Sequence, residues 1–160
     1  MCYKKHWRES RCLRWRKPPW PEGDSMTIRW NIENDLPADE FIDVLMRSGL
    51  AARRPVDERE RVATMLENSN LIVTARDGDG RLIGVSRCIT DYAYCCYCSD
   101  LAVDRKQHGL GIGRELVRRS REAAGDGATF LLLSAPGVED YYLHTGFEKF
   151  ETCYGIRRAG

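Results

Sequence analysis

With 160 residues the chain can form one domain with a sizeable core. Its 42% hydrophobic and 31% charged residues are those of an ordinary globular protein, and no apolar run approaches the roughly 18–20 residues that span a bilayer. The net charge of +1 conceals an asymmetry, because residues 1–25 carry seven Lys/Arg against three Asp/Glu and the remainder 18 against 21; an acidic main body suits a cationic amine better than a nucleic acid.

Residues 1–25 hold three of the four tryptophans and prolines at 18, 19 and 21, with no helical or strand period. They read as a basic extension outside the domain, which occupies residues 26–160; a basic aromatic arm touching nucleic acid or an anionic surface is the alternative. The run Thr27-Ile-Arg-Trp-Asn-Ile-Glu33 predicts a first strand. Apolar residues at 41, 42, 45 and 46 then predict a helix closed by Gly49, and Val62, Met65 and Leu66 a second helix within 56–68. Asp77-Gly-Asp-Gly80 between two apolar runs is a hairpin signal. The next strand spans 94–103. Seven cysteines, four of them at 88, 95, 96 and 98, together with no signal-peptide pattern, predict free thiols in a reducing cytoplasm. No second Cys/His pair stands at finger spacing, so no metal is expected.

The strand at 94–103 runs into His108-Gly-Leu-Gly-Ile-Gly113 and a helix to about residue 124. Gly109, Gly111 and Gly113 strip side chains from the turn. Backbone N–H groups can therefore converge on an anion, helped by the helix N-terminus. The dinucleotide fingerprint fails because Arg114 stands where its third glycine belongs, and the P-loop fails because Gly113 is followed by Arg-Glu. Beyond the helix, residues 129–134 predict an apolar strand buried on both faces. Ser134 is placed to cap a helix with Pro136 in its first turn, Gly146 to give the left-handed exit. Two short strands near 147–150 and 153–157 complete the reading.

The segment from Leu101 through Ala102 and Val103 to His108-Gly-Leu-Gly-Ile-Gly113, followed by Asp140-Tyr-Tyr-Leu-His-Thr-Gly-Phe147, resembles the acetyl-CoA-binding motif and closing helix of the GNAT superfamily of N-acetyltransferases. His108 takes the place of the usual Gln or Arg, and the upstream Asn and Ala of the closing motif are not matched at Ala135 and Val138. The resemblance implies an α/β (α+β) fold. A mixed, mostly antiparallel sheet of about six to seven strands carries about four helices, and splayed central strands form the cofactor cleft. It implies direct acetyl transfer from acetyl-CoA to a primary amine, with Leu101, Ala102, Val103, His108, Gly109, Leu110, Gly111, Ile112, Gly113 and Arg114 holding the co-substrate. Tyr142, four residues before Gly146, takes the place of the catalytic acid, and its ordinary pKa near 10 keeps it protonated. Asp100 is the candidate base, with Asp91, Tyr97 or a water chain as alternatives. The expected acceptor is a small amine; a peptide acceptor, or a CoA-binding regulatory module without turnover, are the other readings. No membrane partner is expected, and the resemblance allows a homodimer.

Overall fold

The computed structural model describes residues 27–156, so the extension expected over 1–25 lies outside them. Five strands form one sheet in sequence order: β1 Arg29–Ile32, β2 Leu71–Arg76, β3 Leu82–Thr90, β4 Cys95–Val103 and β5 Thr129–Leu132. Pairing is antiparallel from β1 to β4, and β5 joins β4 in parallel. The helices are α1 Ala38–Ser48, α2 Arg59–Glu67, α3 Ile112–Ala124 and α4 Glu139–His144. Among the described residues no helix is long and apolar enough to cross a membrane.

Local signals account for most of these elements. In α1, Phe41, Val44 and Leu45 recur at helical spacing and are fully buried. Asp39 and Glu40 in its first turn and Arg47 in its last oppose the helix dipole. Gly49 ends it at φ +85°, its N–H donating to the Met46 carbonyl. In the β2–β3 hairpin Asp77 accepts from the N–H groups of Asp79 and Arg81. Alternation divides the sheet between two apolar layers: Ile72 packs with α1 and α2, whereas Leu71, Val73 and Ala75 pack with α3. Against β3 the helix α3 comes so close that a Cβ on Gly84 would lie 3.0 Å from Ile112 Cγ2 and 3.1 Å from Leu116 Cδ1.

Three expectations about the C-terminal part need correction. Among the described residues the sheet has five strands rather than six or seven, because residues 147–156 form no strand. Phe147 packs its ring on Phe130 of β5, but Phe150, Tyr154 and Ile156 beyond it face solvent, so the apolar alternation a strand needs is not sustained. For the same reason β5, with no neighbouring strand on its outer edge among the described residues, is only partly covered instead of buried on both faces. The last helix begins at Glu139 rather than near Pro136, and Ser134 Oγ donates to the Ala135 carbonyl instead of capping it. Gly146 follows α4 at φ +87°, the left-handed exit its position implied.

Candidate functional site

The parallel pairing of β4 with β5 covers only Cys95–Cys98 against Thr129–Leu132. From Ser99 to Val103 β4 has no partner on that side, and a cleft of about 950 Å³ opens along it. Leu101, Ala102, Val103, His108, Gly109, Gly111, Ile112, Gly113 and Arg114 all line the cleft, as does Tyr142. Leu110 does not line it; its side chain is turned to solvent, so only its backbone can serve the turn.

At the end of β4 the chain makes a turn shaped by glycine. Gly109 and Gly111 adopt φ +84° and +75°, which other residues reach only with strain. Gly111 is the N-cap of α3 and supplies no capping side chain. The first N–H groups of the helix, at Ile112 and Gly113, therefore have no acceptor within the helix, and both residues line the opening. His108 closes the turn: its Nε2–H donates to the Val103 carbonyl at 3.1 Å. The start of the turn is fixed by Asp104, which accepts from the Lys106 N–H and from Arg47 of α1. Burial would raise the Asp104 pKa, but the Lys106 N–H and Arg47 hold it below the ordinary carboxylate value. This cradle fits a pyrophosphate.

Tyr142 comes from α4 across the opening and is held edge-on by Tyr141 and Phe147 at ring separations of 5.3 and 5.4 Å. Burial pushes its phenol above the ordinary value near 10, assisted by Cys98 and Tyr141, while Arg53 works in the opposite direction. The Tyr141 hydroxyl lies 3.1 Å from where a Cβ on Gly113 would stand, over the glycine turn. Burial raises its pKa as well, and the nearby Arg114 lowers it.

Asp100 occupies a different environment from the one a base requires. It is 1% exposed and does not line the cleft. One carboxylate oxygen accepts from Arg87 Nε at 2.5 Å and the other from Arg54 Nε. Arg87 also donates to Ser69 Oγ and Ser99 Oγ, both at 2.8 Å, and Arg54 to the Ser99 carbonyl at 2.7 Å. Both carboxylate oxygens are thus engaged by guanidiniums, away from the cleft that would hold an amine. Asp91 does not line the cleft either. Its carboxylate accepts from the N–H groups of Tyr94, Cys95 and Ala93, which draw its pKa down to about 2.

Arg54 and Arg87 escape a reading of the sequence, although one signal was present. Arg87 interrupts the apolar run of β3, a central strand, and a cation there needs an acid opposite; Asp100 is its cross-strand partner.

A sequence model described as an acetyltransferase (GNAT) domain matches residues 67–149. A chloroplastic GCN5-related N-acetyltransferase 2 of Arabidopsis thaliana is 29% identical over 67% of this chain. This chain spans half the length of that protein. Among solved structures, a GNAT-family acetyltransferase of Streptococcus pneumoniae superposes with a TM-score of 0.68 at 19% identity, covering 84% of this chain and 98% of its own. A GNAT-family N-acetyltransferase of Escherichia coli, in complex with CoA, gives 0.62 at 24% identity, covering 79% and 71%.

Proposed function

Because this chain belongs to the GNAT family of acetyltransferases, we propose that it transfers an acetyl group directly from acetyl-CoA to an amine. One observation carries the reading: the splayed part of β4, the glycine turn and Tyr142 all face the same cleft. The N–H groups of Gly111, Ile112 and Gly113 take the pyrophosphate, with Arg114 beside them. The unpaired edge of β4 from Ser99 to Val103 takes the amide-bearing arm of CoA as an added strand. This brings the thioester toward Ser99 and Tyr142, where a β4 N–H stabilises the oxyanion as it develops.

Attack of the amine nitrogen forms the C–N bond, and cleavage of the C–S bond releases a thiolate. Tyr142 donates its phenolic proton to that sulfur and is reprotonated from solvent. With a thiol pKa near 8.5 and a phenol raised above 10, the donation is uphill by more than about 2 kcal/mol, a cost that the transition state must absorb. The amine loses its proton to water, since Asp100 serves to hold Arg54. The reading is tested by incubating the full chain with acetyl-CoA and amine mixtures, following free thiol and the mass of the amine. Thiol release that depends on amine, with an acetyl group added to the amine, supports it. Thiol release independent of amine contradicts it.

A further inference from the structure

More cations than anions line the cleft, although residues 26–160 taken together carry a net negative charge. Arg53, Arg54, Arg114 and Arg118 line the cleft, against a single lining carboxylate among the described residues, Glu115, which is engaged by Arg118 and Arg119. Arg114 and Arg118 belong to α3, at the phosphate end. Arg53 and Arg54 belong to the segment after α1 and lie at mid-strand, since Arg54 bonds the Ser99 carbonyl. A strand rises about 3.3 Å per residue, so Ser99 stands roughly 13 Å before Val103, and the glycine turn lies beyond that. The CoA phosphates therefore do not account for Arg53.

The two adjacent arginines have different tasks. Arg54 is committed to Asp100, to the Ser99 carbonyl and to the Arg53 carbonyl at 3.0 Å, which pins the Arg53 backbone to the wall of the cleft. Among the described residues no carboxylate pairs with the Arg53 guanidinium, which is exposed and shares the cleft with Tyr142. A planar, permanently charged fork in that place fits a carboxylate. Among the described residues no acidic side chain there offers to hold a second positive charge on the acceptor.

Building on the proposed acetyl transfer, we infer that the acceptor is an amine carrying a carboxylate a few bonds away, as in a free amino acid, with Arg53 binding the carboxylate. A polyamine, by contrast, would present its second cation to an arginine. The test compares each of a set of α-amino acids with its own amide, and with spermidine, while acetyl-CoA binding is followed by calorimetry. One charge-assisted pair corresponds to about a 10- to 100-fold preference in kcat/KM for acid over amide. Arg53→Gln abolishes that preference through KM, and Arg53→Lys restores part of it. Amides or spermidine used as well as the acids, or acetyl-CoA bound but no acid acetylated, would overturn the inference while leaving the CoA-dependent reading intact. Failure to bind acetyl-CoA would overturn both.

Discussion

Tyr142→Phe lowers kcat by about 10²- to 10⁴-fold, the usual contribution of a positioned proton donor. Acetyl-CoA affinity stays near that of the native chain, because the ring and its edge-on contacts with Tyr141 and Phe147 survive the loss of one hydroxyl. Steady-state kinetics with a saturating amine, paired with acetyl-CoA titration, separates the two effects. The pH profile adds a second check. Burial raises the phenol above 10, so the donor stays protonated through the neutral range. Any alkaline loss of activity due to Tyr142 therefore falls above pH 10. Turnover unchanged in the phenylalanine variant would move the acid elsewhere.

Asp100→Asn destabilises the fold by about 3–5 kcal/mol, a large part of what a domain of this size has to spare. The substitution leaves Arg87, which is almost wholly buried, and Arg54 facing each other without a counter-charge. The loss is read as a fall in the denaturation midpoint in urea. Native stability with abolished turnover would instead restore Asp100 as the base. A fall in stability together with lost activity is what the bonding of both its oxygens predicts. Loss of Arg54 anchoring would also release Arg53 from the cleft wall, so residual activity in the variant should show a raised KM for the amine.

The sequence revealed what is encoded locally. The phosphate turn was legible because three glycines between a strand and an amphipathic helix have few other uses. The hairpin at Asp77 and the helix carrying Phe41, Val44 and Leu45 were equally local. The surroundings of Asp100 were not legible. Its partners stand 46 and 13 residues away, and whether an acid meets a base or a guanidinium is decided by tertiary folding. The same holds for Arg53 and Arg54, identical neighbours that differ only in what the fold places before them. The two missing strands show the opposite limit. The stretch from Phe147 to Ile156 has apolar residues in strand-like order, but strands exist only as pairs, and beyond Phe147, which packs on Phe130, the side chains of Phe150, Tyr154 and Ile156 stay exposed. Net charge misled in a similar way, since a sum over the chain says nothing about which signs line the cleft.

Calorimetric titration of acetyl-CoA into the full chain, with NAD as control, tests the central claim most directly. Saturable binding of one acetyl-CoA and none of NAD is the result expected of this cradle, and Gly111→Val, which forces a branched side chain to φ +75°, should abolish it. Heat no greater for acetyl-CoA than for NAD would contradict the account and leave the glycine turn as a loop with no phosphate to hold.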